Sequence, residues 1–398
     1  MSGQALHRER SISGLCPGHP RPSRLLILSQ PTTEGVAVCV RDQVDAAVRS
    51  GCHVTVACPQ AGDLAAWAIE RGAEWERVEM RRSPHLSDFA AVAKVRRLTL
   101  SHDLVLLHSS KAGAVGRVAL ASLGRRRPPS VFTPHGWSWL VGGRLSALYR
   151  LTERILLPVT TFVVAVSGEE RSAGRAALGA RASRIRVIPN GVDVTRFSPD
   201  GTVAARADDP LVVSVGRLSH QRGPDVAVAA LALMRTPGTR LRLVGDGEDR
   251  AKIAHQASEL GLAQRVELIG FRPDPAPELR AADVVIVPSR YDGMALVLLE
   301  AMACGAAIVA TRVAGCSALD AAGILVPIEE PALLAKAVDE LLADTVRRTQ
   351  LGKAARRRAV ERYSVQRSQS DTVALWQETG VLPAMASRGI NMSVGGNK

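Results

Sequence analysis

Short runs of β-branched and aliphatic residues alternate with longer segments of helical periodicity along almost this whole chain, and that alternation most restricts its fold. The apolar runs fall at 25–28, 54–57, 104–107, 131–133, 162–166 and 185–188, with helical segments at 36–49, 112–123 and 145–157 among them. A second series follows at 211–215, 241–244, 266–269, 284–287, 307–310 and 324–326, with helical segments at 224–234, 295–303 and 331–342. Continuous apolar strands separated by helices predict parallel sheets covered on both faces, because each crossover must carry the chain back to the same edge. Two such series predict an α/β chain of two Rossmann-like domains facing across a cleft. Between them Phe197-Ser-Pro-Asp-Gly-Thr and Asp208-Asp-Pro crowd Pro, Gly and acidic residues into an exposed linker at 196–210. The expected organisation is a flexible tail at 1–23, a first domain at 24–195, the linker, a second domain at 211–363, a helix at 364–380 and a flexible tail at 381–398.

Hydrophobic residues make up 46% of the 398 and charged residues 22%, enough apolar material to fill two cores. The longest nearly apolar stretch, 155–166, carries Pro158, Thr160 and Thr161. It falls short of the roughly 18–20 apolar residues that a spanning helix needs, so no transmembrane segment is expected. Residues 1–23 have no apolar h-region and do not read as a secretory signal. Cys16, Cys39, Cys52, Cys58, Cys304 and Cys316 include no Cys-x-x-Cys pair and have no His-rich partner segment. Neither a zinc site nor a disulfide framework is expected, and a reducing cytoplasm is the natural setting.

Charge is uneven. The chain carries 51 Lys plus Arg against 38 Asp plus Glu, a net of +13. Residues 1–195 hold 26 basic and 15 acidic side chains, whereas 196–398 hold 25 and 23. The first half is therefore expected to face something anionic, either a membrane surface or a phosphorylated substrate. Nucleic acid is not the expected partner, because aromatic residues are 3% and no nucleic-acid-binding signature is present. Arg81-Arg82, Arg125-Arg-Arg127 and the stretch 137–157, with Arg144, Arg150 and Arg154 among Trp and Leu, suit an anionic lipid surface. The alternative for that stretch is a helix packing its apolar face on its own sheet.

Ligands of parallel α/β sheets bind at loops that follow strands, beside helix N-termini. After 211–215 comes Gly216-Arg217-Leu218-Ser219-His220-Gln221-Arg222-Gly223-Pro224. Gly216 allows a tight turn, and Pro224 suits the first turn of the next helix. Arg217 and Arg222 offer two guanidinium forks from one loop, which suits capture of a diphosphate. Leu241-Arg-Leu-Val-Gly-Asp-Gly247 is a strand entering a glycine turn, but Arg250 stands where a dinucleotide fingerprint would have its third glycine. The run from Asp283 passes through Pro288-Ser289 to Asp292 and Gly293, and a helix begins near Ala295. The amides of Met294, Ala295 and Leu296 there form an anion site. Glu300, about one and a half turns further, is placed to accept hydrogen bonds from ribose hydroxyls.

Together these residues resemble the nucleotide-sugar half of retaining glycosyltransferases of family four, which have the GT-B fold, and the resemblance covers nearly the whole chain. The family's Glu-x7-Glu signature is present with Asp292 in place of the first Glu and Glu300 as the second. Its Gly-Arg-Leu-x3-Lys-Gly motif is present as Gly216-Arg217-Leu218 with Arg222-Gly223, Arg replacing Lys. Ile188-Pro-Asn-Gly-Val-Asp193 with Phe197, Val166-Ser167 and Thr133-Pro-His-Gly136 match further family positions. The resemblance implies that Arg217 and Arg222 hold the donor diphosphate and offset charge on the leaving group. It implies that Glu300 binds ribose, Asp292 touches donor-sugar hydroxyls, and the amides of Met294, Ala295 and Leu296, after Gly293, hold the distal phosphate. Gly35 would let the N-terminal loop approach the diphosphate, backbone near Gly270 would meet the base, and His135 would sit by the sugar.

The implied reaction is same-face transfer from a nucleotide sugar, by this resemblance a UDP-sugar, with no cofactor and no metal expected, since no Asp-x-Asp motif is present and arginines can supply the positive charge. The runs Leu107-His-Ser-Ser-Lys-Ala-Gly-Ala-Val-Gly-Arg117 and Phe132-Thr-Pro-His-Gly-Trp137 resemble a bacterial subgroup that builds exopolysaccharide or other lipid-linked glycans. That likeness implies a lipid-linked or saccharide acceptor near Lys111 and Arg117, and a cytoplasmic protein peripheral on the inner membrane face. A soluble natural-product acceptor, a sugar-nucleotide epimerase or hydrolase, and a non-catalytic partner of the same fold are the competing readings.

Overall fold

The computed structural model describes residues 21–81, 83–143 and 145–383. The first domain runs β1 (Arg24–Ser29), α1 (Glu34–Arg49), β2 (His53–Cys58), α2 (Leu64–Glu70), β3 (Glu74–Arg77), α3 (Ser87–Thr99), β4 (Leu104–His108), α4 (Ser110–Ala121), β5 (Ser130–Thr133), α5 (Ser146–Leu156), β6 (Phe162–Ala165), α6 (Gly168–Leu178) and β7 (Ile185–Val187). The second runs β8 (Leu211–Val215), α7 (Pro224–Leu233), β9 (Arg240–Val244), α8 (Arg250–Glu259), β10 (Val266–Gly270), α9 (Ala276–Ala281), β11 (Val284–Val287), α10 (Leu296–Ala303), β12 (Ile308–Thr311), β13 (Ile324–Val326), α11 (Pro331–Ala343) and α12 (Thr345–Arg362). A last helix, α13 (Val365–Glu378), ends the described chain.

Both sheets are parallel throughout, in the orders β3-β2-β1-β4-β5-β6-β7 and β10-β9-β8-β11-β12-β13. Alternation within single strands divides the packing. Leu25, Ile27, Leu104 and Leu106 face the core under α1 and α2. Leu26, Leu28, Val105 and Leu107 face the opposite core under α3 and α4. Both faces are apolar, which is why these strands read as unbroken hydrophobic runs. Strand β3 has no such run, because Glu74-Trp-Glu-Arg77 at the sheet edge supplies one half-buried apolar residue.

Helix α13 returns to the first domain. Val373, Leu375 and Trp376 enter the core beside β1 and α1, and Gln369 Nε2 donates to the Asp42 carbonyl at 2.9 Å. The return is stitched to the outgoing crossing: Val192 N–H donates to Tyr363 O at 2.8 Å, and Val365 N–H donates to Val192 O at 2.9 Å. The segment between the domains is anchored as well. Arg280 donates to the carbonyls of Ser198, Thr202 and Arg196, and Arg356 to those of Val194, Phe197 and Ala303.

Cys39, Cys52, Cys58, Cys304 and Cys316 are free. Cys16, Arg82, Arg144, and the tails outside 21–23 and 381–383 lie outside the described residues. Among the described residues no helix is long and apolar enough to cross a membrane.

Candidate functional site

Each strand order reverses direction once, between β1 and β4 in the first sheet and between β8 and β11 in the second. At such a point the loops leaving two adjacent strands part in opposite directions and open a crevice at their carboxyl ends. The loops after β8 and β11 carry Arg217, Arg222 and Asp292, and those after β1 and β4 carry Glu34 and Ser109. The two crevices face each other. Arg217 pairs with Glu34 through two hydrogen bonds, Nε to Oε1 at 2.9 Å and Nη2 to Oε2. Asn190 Nδ2 donates to Met294 O at 3.0 Å, and Ser317 N–H to Glu169 Oε1 at 3.3 Å.

On the second-domain side, Arg222 pairs with Asp292 Oδ2, while Asp292 Oδ1 accepts from Gly293 N–H at 2.8 Å. One carboxylate thus orients both a guanidinium and the turn leading to α10. Gly223 (φ 65°) lies against Pro288 O, where a Cβ would collide. The loop is locked from behind by Arg290, which holds Asp225 with two hydrogen bonds (2.9 and 2.7 Å), Glu329 at 2.9 Å and the His220 carbonyl at 2.8 Å. The crevice between β8 and β11 is lined by Gly216, Arg217, Arg222 and Ser289. Ser289 Oγ is buried there with no protein partner. A buried hydroxyl without a partner costs free energy unless water or a ligand meets it, so this orphan fits a polar occupant.

Met294, Ala295 and Leu296 precede the first bond of α10, from Leu298 N–H to Ala295 O at 3.1 Å. Gly35 opens α1 opposite them, its Cβ position 3.7 Å from the Leu296 Cδ1 methyl. Glu300 is half-buried on α10. Burial pushes its carboxyl up to about 7, against the lowering effect of Arg196 and with a raising effect from Asp274. Gly270 (φ 77°) ends β10, and its carbonyl accepts from Gly245 N–H at 2.9 Å.

The first-domain side is assembled from separate segments. His135 has φ 54° and Gly136 φ 101°, and a Cβ on Gly293 would stand 2.9 Å from Gly136 N. The two domains therefore touch through a turn that tolerates no side chain at 293. His135 Nε2 meets His108 Nδ1 at 2.9 Å, and His108 Nε2 meets Gln43 Oε1 at 3.1 Å. Burial pushes His135 down to about 4 and His108 well below its ordinary value, so both rings are neutral near pH 7. The turn is tied by Glu170, fully buried, which accepts from Gly136 N–H and Val166 N–H, both at 2.6 Å. Ser167 caps α6 by accepting from Glu170 N–H at 3.1 Å. Only the serine half of a capping box is made: the glutamate passes over the Ser167 N–H and instead holds those of Val166 and Gly136.

Comparison with known proteins agrees with this architecture. A family model for Glycosyl transferases group 1 matches residues 201–358, and one for Glycosyltransferase Family 4 matches residues 33–196. A GDP-mannose-dependent alpha-(1-6)-phosphatidylinositol monomannoside mannosyltransferase of Mycolicibacterium smegmatis is 33% identical over 307 residues, 70% of this chain and 78% of that protein. The chain belongs to glycosyltransferase family 4.

Other relatives include a D-inositol 3-phosphate glycosyltransferase of Nocardia farcinica, 34% identical over 289 residues, 65% of this chain. The match spans 63% of that relative, less than two thirds of its length. A UDP-Gal:alpha-D-GlcNAc-diphosphoundecaprenol alpha-1,3-galactosyltransferase of Escherichia coli is 31% identical over 230 residues, 54% of this chain and 59% of that one. The solved structure of Anabaena HepE in complex with UDP and glucose superposes with a TM-score of 0.77 at 23% identity, covering 89% of this chain and 100% of HepE. That likeness gives the fold, GT-B.

Within this chain the two residues expected at an anionic acceptor are engaged elsewhere. Arg117 is fully buried, donates to Glu153 at 2.6 and 2.8 Å and to Gly113 O at 2.8 Å, and lies 3.9 Å over the Phe132 ring. It is a structural cation of the core, not an acceptor contact. Lys111 pairs with Asp88 and donates to Ser83 O at 3.1 Å, so its ammonium is largely spent holding α3 to α4. The stretch 137–157 divides in the same way. Trp137 and Trp139 stack within the core, centroids 4.4 Å apart, whereas Leu145, Leu148, Leu151 and Ile155 are more than half exposed.

Glu34, Gln43, His108, Glu170 and Ser289 were not identified as site residues from sequence. Glu170 had a signal, the Ser167-Gly-Glu-Glu170 pattern, whose ordinary reading stops at its own helix. His108 closes an apolar run that was otherwise read as a strand. Gln43 lies mid-helix and carries no signal. Among the described residues no group of His, Cys, Asp and Glu side chains is placed to hold a metal ion.

Proposed function

We propose that this glycosyltransferase moves a sugar from a UDP-sugar to a hydroxyl of a lipid-linked or polysaccharide-precursor acceptor, with retention at the anomeric carbon and without a metal. The observation that carries this reading is the pair of guanidinium groups, Arg217 and Arg222, at the β8/β11 crevice opposite His135. In the proposed reaction the bond between the anomeric carbon and the donor phosphate oxygen breaks while the acceptor oxygen bonds to that carbon on the same face. The acceptor proton passes to the departing phosphate oxygen, which conserves atoms and charge. Arg217 and Arg222 offset the charge growing on the diphosphate, the amides of Met294, Ala295 and Leu296 hold its distal phosphate, and Glu300 accepts from ribose. Asp292 contacts the sugar while orienting Arg222. Fixed cations and N–H dipoles in a water-poor cleft supply the electrostatic stabilisation that is commonly the largest catalytic contribution. Glu34, as the present partner of Arg217, is displaced by the incoming diphosphate.

A lipid-linked acceptor is supported by relatives named for phosphatidylinositol-linked and undecaprenyl-linked acceptors, and by one face of α5. Leu145, Leu148, Leu151 and Ile155 recur at spacings of three and four and point outward, with exposed Arg150 beside them. A short helix with one apolar face and adjoining arginine suits the interface of an anionic bilayer on the cytoplasmic side.

Donor binding is tested by thermal shift with UDP-, GDP-, ADP- and TDP-sugars, in EDTA and with Mg²⁺. A ligand at 100 times its Kd stabilises the fold by about 2.7 kcal/mol. The expected result is a shift with one nucleotide class, unchanged by EDTA. Stabilisation that appears only with Mg²⁺ would overturn metal independence, and no shift with any UDP-sugar would overturn the donor. For the surface, Leu148→Asp with Leu151→Asp should abolish sedimentation with anionic vesicles while leaving the melting temperature unchanged.

A further inference from the structure

His108 lies at the carboxyl end of β4, on the first sheet's switch strand, and it is 1% exposed. Its ring centroid is 5.2 Å from that of His135 and the planes differ by 27°. Nearly coplanar rings at that separation meet nitrogen to nitrogen, as the 2.9 Å Nδ1–Nε2 distance requires, and are not stacked face to face. One proton occupies that line. Its direction follows from the other end of His108, where Gln43 turns its carbonyl oxygen to Nε2 at 3.1 Å. An oxygen acceptor demands a proton on His108 Nε2. A neutral His108 then has a bare Nδ1, which can only accept, so His135 must donate from Nε2. Neutral His135 is left with Nδ1 bare, and among the described residues no protein group pairs with that atom.

We propose that His108 is a positioning residue for His135: held by Gln43, it keeps the His135 proton on Nε2 and so presents the bare Nδ1 to the cleft. The arrangement also bears on the backbone. A non-glycine residue at φ 54° is strained, and such strain persists where surrounding contacts over-determine it. The His108 bond fixes the ring, and the Glu170 bond to Gly136 N–H fixes the peptide after it. Burial opposes protonation of either ring, so the relay does not dissolve into an imidazolium at neutral pH. A lone pair at Nδ1 accepts a hydrogen bond from a hydroxyl of the donor sugar and interacts favourably with positive charge developing at the anomeric carbon. A proton there would do the reverse. This consequence for transfer rests on the function proposed above, whereas the proton placement rests on the Gln43 amide oxygen facing His108 Nε2.

Two readouts separate those statements. The first is the ring ¹⁵N spectrum of ¹⁵N-histidine-labelled full-length protein, with His135 assigned by a His135→Gln variant. Wild type is expected to show His135 as one neutral tautomer protonated on Nε2. In His108→Leu, which keeps bulk but removes both nitrogens, and in Gln43→Leu, His135 is expected to show a mixture of tautomers. His108→Asn, whose amide oxygen can stand at the Nδ1 position, should restore the Nε2–H form. Wild-type His135 protonated on Nδ1, or a His135 signal unchanged in both leucine variants, would overturn the proposal. Should His108→Leu fail to fold, judged by its melting curve, Gln43→Leu and His108→Asn carry the same test.

The second readout is steady-state transfer with the donor found by thermal shift. The expectation is a fall in kcat of about tenfold or more in His108→Leu, below the roughly 10⁴-fold that loss of the tautomer-setting aspartate costs a catalytic triad, with the donor KM little changed and partial recovery in His108→Asn. An unchanged kcat alongside a scrambled tautomer would remove the positioning role. Absence of transfer in wild type, with the expected tautomer in place, would count against the proposed function and leave the proton placement standing.

Discussion

On the second-domain side of the cleft, the groups we assign to the donor come from two loops and the helix α10 that follows the second, and the guanidinium groups stay partly open: the Arg217 side chain is 38% exposed and that of Arg222 29%. The first-domain side draws Gln43, His108, His135 and Glu170 from α1, β4, the loop after β5 and α6, and buries His108 and Glu170. Both sides stand on the same topology, yet they hold polar groups in opposite ways. A diphosphate site must keep its cations charged and reachable, so it is written as a contiguous loop with glycine and proline setting the turn. A ring that must remain neutral in one tautomer needs desolvation and a fixed partner, which only several elements together can supply. Among the described residues of the first domain, the three with positive φ other than glycine are Glu34, which opens α1, Ser109 before α4 and His135 after β5, all just beyond the carboxyl ends of strands on this side.

The contrast between buried and reachable arginine gives the largest expected effect. Arg117→Ala leaves Glu153 buried without its partner and should lower stability by about 3–5 kcal/mol in chemical denaturation, with the folded fraction retaining its turnover. A specific loss of activity without loss of stability would return Arg117 to the acceptor site.

Arg217→Ala should do the converse. Removing one donor to a developing oxyanion is expected to lower kcat by about 10²–10³-fold, or about 2.7–4 kcal/mol of transition-state stabilisation, with little change in melting temperature. Its ion pair with Glu34 is part-exposed, and such pairs contribute at most about 1 kcal/mol.

Glu170→Gln tests the buried edge more gently. An amide offers one oxygen to two backbone donors, so one N–H loses its acceptor, at about 1–3 kcal/mol. The Glu170 carboxyl is pushed up to about 7, mainly by burial, opposed by the Val166 and Gly136 amides and aided by Asp292. A folded-state value raised above the unfolded one means that its stabilising contribution is complete below about 4.5 and is lost as pH rises through about 7. The deficit of the glutamine variant relative to wild type should therefore be largest near pH 5 and shrink toward pH 8, as measured by urea midpoints. A deficit independent of pH would mean that Glu170 is ionised throughout.

The same division explains what could be read in advance. Parallel strands buried on both faces announce themselves as apolar runs, and twelve of the thirteen strands among the described residues match such runs to within one residue at each end. Only β3, with Trp75 between glutamates, escaped. Arg217, Arg222, Asp292 and Glu300 lie at spacings that one loop and one helix turn determine locally, and the fold brings Arg222 to Asp292 across 70 residues because β8 and β11 are neighbours. Arg117 misled because a cation in a helix is ordinarily solvated, and its partner Glu153 is 36 residues away on a helix whose packing angle no local pattern records.

By itself, then, the sequence determined two parallel α/β domains and the residues of the glycine- and arginine-bearing loops after β8 and β11, since each follows from periodicity or from residues within one turn of one another. The tertiary structure alone decided which cations remain available, which carboxyls burial pushes up toward neutral pH and which nitrogen of His108 faces His135. Those properties depend on desolvation and on partners distant in the chain, and they come into being only when α1, β4, β5 and α6 close around the same few atoms.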